Sequence, residues 1–123
     1  MYIDFLIKIK NAERAGKKNV RIAFSKMDYA VGEELVRYGF LKRIEIKGRA
    51  PKKTIEVLLN SEKPVSDVKF LSRPSLKFYG KYEDFKPVKS GHGLLVVSTS
   101  KGIMSGVRAK KEKVGGQLLF EIW

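Results

Sequence analysis

The apolar run at residues 94–97, Leu-Leu-Val-Val, constrains the fold of this chain more than any other stretch. It is the longest uninterrupted apolar run in the sequence. Because it is short and partly β-branched, it predicts a strand that is buried on both faces. The run ends in three hydroxyl residues, a cation and a glycine, which are Ser98, Thr99, Ser100, Lys101 and Gly102. The pentapeptide alone favours a turn, and in a basic chain it also predicts a contact with a polar partner.

The charge balance of the chain predicts a polyanionic partner. The 123 residues include 26 Lys and Arg against 13 Asp and Glu, which gives a formal net charge of +13. Residues 1–63 hold 15 basic and 8 acidic side chains and residues 64–123 hold 11 and 5, so the excess is not confined to a tail. Solubility alone does not require so large an excess of basic over acidic side chains. We therefore favour a nucleic-acid surface over a merely solvated basic surface.

The first sixty residues predict a lobe with the order α-β-α-β-β. Apolar residues at helical spacing indicate a helix from Ile3 to Ala15 that ends at Gly16. A second helix is expected from an N-cap at Ser25 to a stop at Gly39. Alternating apolar residues indicate three strands, at 19–24, around 44–46 and at 55–59.

The second half of the chain predicts a smaller, β-rich lobe. A polar stretch that ends in Pro64 is the best candidate for a boundary, which gives an N-terminal α/β lobe at 1–62 and a C-terminal β-rich lobe at 63–123. The expected elements of the second lobe are strands at 68–71, 76–79, 94–97 and 118–123 and short helices at 81–85 and 107–113, the last stopped by Gly115 and Gly116. The fold class is therefore α+β, with the N-terminal lobe packed against the smaller lobe.

Little in the sequence indicates catalysis or a cofactor. The chain has no cysteine, which excludes thiol chemistry, and its one histidine, His92, has no identifiable catalytic partner. The stretch from Ser98 to Lys101 matches the S-x-x-K of penicillin-binding enzymes, but the other elements of that site are absent or misplaced. Neither a dinucleotide fingerprint nor a phosphate-binding loop is present. We therefore expect no enzymatic activity, no cofactor and no metal site.

The N-terminal sequence does not resemble an export signal. Asp4 and Lys8 interrupt its apolar residues, and no small-residue cleavage site follows. No apolar run approaches the roughly 20 residues that span a bilayer. We therefore expect a cytoplasmic protein that has no membrane partner.

Tyr79 and Lys81 form a second candidate contact with nucleic acid. Together with Tyr82 they interleave aromatic rings with a cation directly after a proline turn. A surface that stacks on bases requires this combination. Spacing alone leaves a buried position for Tyr79 equally open, because buried tyrosines are common.

The stretch Val96–Met104, Val-Val-Ser-Thr-Ser-Lys-Gly-Ile-Met, closely resembles the signature of the family of bacterial small-ribosomal-subunit protein number eight, the S-eight family. The resemblance spans the chain and includes residues 4–11 as the first helix, Ser25-Lys26 as the start of the second helix, residues 34–40 as its end, Ser72-Arg73-Pro74 as a central turn and the ending at 114–123. The family usually carries an aspartate where this chain has Gly106, which bears on how the following helix is capped.

This resemblance implies two lobes that together bind a helix in the central domain of small-subunit ribosomal RNA, without catalysis. It also implies that the Ser-Thr-Ser loop enters the minor groove, where short hydroxyl side chains can reach 2′-hydroxyls and base edges. Neighbouring small-subunit ribosomal proteins and the protein's own messenger RNA are further expected partners. The expected RNA-binding residues are Ser98, Thr99, Ser100, Lys101, Gly102, Tyr79, Lys81, Arg73, Lys26, Asn11, Lys17 and Lys18.

Two other functions stay open on the sequence: a general RNA chaperone and a basic RNA-modifying enzyme. A chaperone binds RNA without regard to sequence, and an enzyme turns its substrate over. A structural ribosomal protein instead occupies a single saturable site on one ribosomal RNA fragment.

Overall fold

The computed structural model describes residues 2–49, 52–60, 62, 65–72, 75–85 and 93–123. Helices and antiparallel sheets are mixed along the chain, which confirms the predicted α+β class. The chain divides into two compact units, Met1–Val65 and Ser66–Trp123, here called the first and second lobes. The elements in chain order are α1 (Tyr2–Arg14), β1 (Asn19–Ala23), α2 (Lys26–Arg37), β2 (Leu41–Lys47), β3 (Thr54–Leu59), β4 (Val68–Phe70), β5 (Tyr79–Gly80), a 3₁₀ turn (Tyr82–Asp84), β6 (Leu94–Thr99), β7 (Gly102–Ser105), α3 (Gly106–Lys111) and β8 (Gly116–Ile122).

The first lobe contains a three-stranded antiparallel sheet with the order β1-β3-β2 and the two predicted long helices. Ile22, Ile55 and Ile46 lie opposite one another across the three strands. Helix α2 lies very close to β2 at Gly32. A Cβ atom on this glycine would overlap the side chain of Ile44. The apolar face of α1 is buried and consists of Tyr2, Phe5, Leu6, Ile9 and Ala12.

The predicted starts and stops of the first two helices are largely confirmed. Helix α1 ends before Gly16 and α2 before Gly39, and both glycines have positive φ, at 72° and 84°. Ser25 occupies the N-cap position of α2 as expected, but its side chain makes no capping hydrogen bond. The N-cap serine and the two glycines could be predicted from the sequence because each acts on the adjacent turn of its helix.

The second lobe is built on one antiparallel sheet in which β8 is central. Its main path is β4-β8-β6-β7, and β5 also pairs with β8. The apolar run at 94–97 lies in β6, as predicted, and all but one of its four side chains are buried. Phe85, Val97, Met104 and Ala109 form a buried cluster against which Leu95, Val114 and Leu118 pack.

Three expectations for the second lobe were wrong. A strand, β7, follows the hydroxyl tip before the helix begins, because Gly102 turns the chain back to pair with β6. Residues 76–78 are not a continuous strand: Leu76 forms only an isolated bridge, the Ser72 hydroxyl accepts a hydrogen bond from the Phe78 N–H at 2.9 Å, and the strand β5 begins at Tyr79. The third correction concerns Gly115 and Gly116, which do not stop α3 but lead into and start β8.

Helix α3 is capped by a residue that the sequence comparison did not indicate. Ser105 is its N-cap, and the Ser105 hydroxyl accepts a hydrogen bond from the Arg108 N–H at 3.1 Å. This cap satisfies one of the free N–H groups at the helix start. Gly106 therefore need not supply the capping group.

Candidate nucleic-acid interface

The hydroxyl tip predicted from the sequence is the turn of the β6–β7 hairpin. Thr99 pairs with Gly102, which leaves Ser100 and Lys101 as the two exposed turn residues. The Thr99 hydroxyl donates to the Gly102 carbonyl at 2.8 Å and accepts from the Lys101 N–H at 3.1 Å. Gly102 has a φ of 117°, a value that side-chain-bearing residues rarely adopt. The tip is therefore a closed turn that holds its outer residues in one geometry.

The three hydroxyls of the tip differ in what they can offer a partner. Thr99 uses its hydroxyl to build the turn, as described above. The Ser98 and Ser100 hydroxyls hydrogen-bond to no other residue in the described part of the chain. Ser98 is half-buried and Ser100 is exposed. Ser98 and Ser100 are thus the better donors and acceptors for a bound molecule, and Thr99 orients them.

A row of side chains extends from the tip across the sheet. Gln117 on β8 lies opposite Tyr79 on one side and opposite Ser98 on the other. Ser98 in turn lies opposite Ile103 of β7. Residues directly opposite one another in an antiparallel sheet project from the same face. Tyr79, Gln117 and Ser98 therefore line one face beside the hairpin tip.

Tyr79 is 71% exposed, so its ring does not belong to the core of the lobe. Gln117 is half-buried, and its amide hydrogen-bonds to no other described residue. An exposed ring next to a free amide and a free hydroxyl can stack on a base and reach polar atoms beside it. The row is therefore chemically suited to RNA.

Two glycines make this arrangement possible. A Cβ atom on Gly116 would overlap the carbonyl oxygen of Ser98, and one on Gly115 would lie 2.6 Å from the carbonyl oxygen of Gly80. The start of β8 can therefore fit between β5 and β6 only without side chains at both positions. The pair brings Tyr79 and the hairpin tip to the same end of the sheet, here called the sheet end: residues 79–81, 98–102 and 113–117.

Lys81 and Lys101 add positive charge to the sheet end. Lys101 occupies the hairpin turn, and Lys81 directly follows Gly80, the residue that pairs with Gly116. Both side chains are exposed and neither forms an ion pair with a residue that the structure describes. The sheet end thus combines two free cations with an aromatic ring and two free hydroxyls.

Four of the expected RNA-binding residues lie in the first lobe, and all four are exposed. Asn11 is on α1, Lys26 is the first residue of α2, and Lys17 and Lys18 connect α1 to β1. Lys17 and Lys18 also line a cleft of about 550 Å³ together with Lys42. Arg73, like His92, lies outside the described residues.

Sequence reasoning missed two residues of the sheet end, Gln117 and Lys113. Gln117 is the only glutamine of the chain, but a sequence does not show which strands flank it. Lys113 is exposed and follows α3 in a left-handed conformation, with a φ of 56°. The sole sequence signal for either residue was its proximity to the Gly115-Gly116 pair.

Comparison with known proteins identifies the family of this chain. Residues 2–123 match the model of one family, described as ribosomal protein S8. The chain belongs to the ribosomal protein S8 family. Three relatives, each named small ribosomal subunit protein uS8, illustrate how similar this chain is to members of the family. The protein of Mycoplasma mobile is 37% identical, that of Dictyoglomus thermophilum 38% and that of Caldanaerobacter subterraneus subsp. tengcongensis 36%. Each match covers 98% of this chain, and 92%, 94% and 94% of the respective relative.

Membership in the ribosomal protein S8 family confirms the resemblance found in the sequence. Members of this family are structural components of the small ribosomal subunit and not enzymes. The expected non-enzymatic role and ribosomal location are therefore confirmed. None of the helices in the described ranges has the length and apolar character needed to cross a membrane.

Proposed function

We propose that this protein, as an S8-family component of the small ribosomal subunit, binds ribosomal RNA through the sheet end of its second lobe. The observation that carries the proposal is the cross-strand row of Tyr79, Gln117 and Ser98 beside the closed hairpin turn. The sheet end brings together an exposed ring, free hydroxyls and two cations without an ion pair to a described residue. Each of these groups has a matching feature on an RNA helix.

The chemistry of the sheet end suits an irregular RNA helix. The wide, shallow minor groove of A-form RNA displays 2′-hydroxyls and base edges, which Ser98 and Ser100 can reach as donors and acceptors. The exposed Tyr79 ring can stack on an unpaired base. Lys81 and Lys101 can neutralise phosphates on either side of the groove.

The specific partner we propose is a helix in the central domain of small-subunit ribosomal RNA, whose binding aids assembly of the subunit. We further propose that the division into an N-terminal α/β lobe and a C-terminal β-rich lobe is functional, with Asn11, Lys17, Lys18 and Lys26 of the first lobe adding RNA contacts. This is supported by the exposure of all four residues and by the basic excess in both halves of the chain. Neighbouring ribosomal proteins and the protein's own messenger RNA are the other proposed partners.

Titration with RNA fragments tests the proposal. The 5′, central and 3′ domains of small-subunit ribosomal RNA are prepared separately, and binding of the whole protein is measured at several salt concentrations. We expect one saturable site on the central domain and only weak, salt-sensitive binding to the other two. Equal affinity for all three fragments would contradict the proposal and favour a general RNA chaperone.

A further inference from the structure

The three α-helices in the described ranges end in the same hydrogen-bond motif, but one of them lacks the residue that the motif favours. In this motif, the N–H of the second residue after the C-cap donates to the carbonyl five positions back, and the N–H of the first residue after the C-cap donates to the carbonyl three positions back. The first residue takes a left-handed conformation and is usually glycine. The pairs are Lys17–Ala12 and Gly16–Glu13 for α1, Phe40–Leu35 and Gly39–Val36 for α2, and Val114–Ala109 and Lys113–Lys110 for α3, all between 2.9 and 3.2 Å.

Helices α1 and α2 place glycines at the left-handed position, whereas α3 places Lys113 there. Lys113 is the only non-glycine residue with positive φ in the described part of the chain. A side chain in this conformation brings its Cβ close to the backbone carbonyl, a steric penalty that glycine avoids. The left-handed backbone conformation therefore disfavours lysine at position 113. We infer that the lysine side chain has a role of its own at this position.

The Lys113 side chain makes no hydrogen bond or ion pair with the residues that the structure describes. Its side chain is exposed and forms no ion pair with any described residue, although Glu112 is its neighbour and pairs with Arg108 instead. The apolar contact that accompanies this motif is made by Val114, which packs on the buried cluster that includes Ala109. The stability of the helix end is thus supplied by Val114, and the Lys113 cation stays available.

The backbone of Lys113 lies next in the chain to segments of the candidate RNA surface. Two residues later, Gly115 lies so close to β5 that a Cβ atom on it would be 2.6 Å from the Gly80 carbonyl oxygen and 3.2 Å from Cα of Lys81. The next residue, Gly116, pairs with both Gly80 and Thr99. The connection from α3 to β8 therefore meets the hairpin tip and the Lys81 segment at one end of the sheet.

We propose that Lys113 is a further RNA-binding residue, which contacts a backbone phosphate of the RNA bound at the sheet end. The helix-end motif fixes its backbone, so the cation starts from a defined position and not from a mobile loop. The inference rests on the proposed function and extends the binding surface from the hairpin tip to the end of α3. The chain tolerates a conformation that suits glycine because the charge is needed there.

Substitution at Lys113 separates a binding role from a structural one. A binding role predicts that loss of the side chain lowers RNA affinity and not stability, whereas a structural role predicts that it lowers stability. Lys113→Gly removes the charge and also relieves the steric penalty, so thermal stability should stay equal or rise while RNA affinity falls. Lys113→Asn removes the charge with a side chain that tolerates the left-handed conformation. Lys113→Arg keeps the charge and should keep the affinity. Lys69→Gln is the matched control, since Lys69 is also an exposed lysine. It lies opposite Glu121 in the β4–β8 ladder, and Glu121 is roughly 15 Å along β8 from Gly116.

Binding of the four variants to the central-domain fragment is measured between 50 mM and 200 mM salt, with thermal unfolding alongside. For Lys113→Gly and Lys113→Asn we expect the slope of log affinity against log salt to flatten by about 0.7 to 0.9, so that the advantage of the parent shrinks about threefold over this range. If the parent binds the fragment selectively and both neutral variants match Lys69→Gln in affinity and slope, Lys113 is not a contact. If the parent itself shows no selective binding, the proposed function fails and this inference fails with it.

Discussion

A Cβ atom on Gly116 would overlap the carbonyl oxygen of Ser98, so that β8 lies beside β6 only because residue 116 has no side chain. This contact joins a residue of the hairpin tip to the strand that also carries Gln117 and pairs with Tyr79. The same strand start is pressed against Gly80 through Gly115. The geometry of the candidate site therefore depends on two glycines that themselves offer no chemistry to a ligand.

Gly116→Ala should destabilise the protein, because the added methyl group meets backbone atoms that cannot move aside. Overpacking of this kind costs about 1–3 kcal/mol, and denaturant unfolding measures it. Gly106→Ala is the control, since the atoms nearest to its added Cβ are side-chain atoms of Leu95, the first at 2.9 Å, and these can shift more easily than backbone atoms. Equal stability of the two variants would contradict the close approach of β8 to β6.

Tyr79→Ala should weaken RNA binding without unfolding the protein. The ring is 71% exposed, so its loss leaves no cavity, whereas the loss of one base–aromatic stack costs about 1–3 kcal/mol. Binding to the central-domain fragment and the unfolding midpoint are measured together. Phe78→Ala removes the neighbouring exposed ring and should leave the affinity unchanged. A loss of stability in Tyr79→Ala with unchanged affinity would show that the ring supports the fold instead.

The hydroxyls and the cation of the hairpin turn should differ in their response to salt. Ser100→Ala removes a hydrogen bond to a base or sugar and should lower affinity for the cognate RNA while leaving the salt dependence unchanged. Lys101→Gln should flatten the slope of log affinity against log salt by about 0.7 to 0.9, because one phosphate contact is lost. Titrations at four or more salt concentrations measure both effects. Identical salt slopes for the two variants would mean that the turn does not separate the two kinds of contact.

The pH dependence of stability should change when Asp28 is replaced. This carboxyl is 5% exposed on α2, and burial raises its pKa. The folded state therefore holds the proton more tightly than the unfolded state, so the stabilising contribution is complete below the unfolded pKa of about 3.9 and is lost as pH rises through the raised folded value. Asp28→Asn removes this loss, and its free energy of unfolding should fall less, or rise more, than that of the parent between pH 4 and pH 7.

Denaturant unfolding at several pH values tests this prediction, with Asp84→Asn as the control at an exposed carboxyl. The difference between parent and Asp28→Asn is the quantity of interest, because other carboxyls titrate equally in both. Parallel pH curves for the parent and Asp28→Asn would contradict an effect of burial at this position.

The sequence predicted those parts of the fold whose signals are local. Gly16 and Gly39 mark helix ends because the motif they serve spans six residues, and the apolar run at 94–97 marks a buried strand by itself. The hydroxyl tip was found for the same reason. Its position at the turn of a hairpin was not, because β7 is defined by its pairing with β6 and has no strong pattern of its own.

The residues that sequence reasoning missed depend on contacts between distant segments. Gln117 gains its place between Tyr79 and Ser98 only through strand register, which unites residues 38 and 19 positions away. The Gly115-Gly116 pair predicts a helix stop from the sequence. In the structure it lets β8 lie close to both β5 and β6. Lys113 is the left-handed residue that follows the C-cap of α3, a position that propensity alone assigns to glycine and not to lysine.

A chemical footprint of the protein on complete small-subunit ribosomal RNA tests the central claim most directly. Backbone and base reactivity are compared with and without the parent protein, and with a variant that carries Ser98→Ala and Ser100→Ala. We predict one protected region, confined to a helix of the central domain, whose minor-groove protections are lost in the double variant while the rest of the footprint weakens. Protection outside the central domain, or a footprint that the double variant reproduces in full, would contradict the assignment of the sheet end as the RNA-binding site.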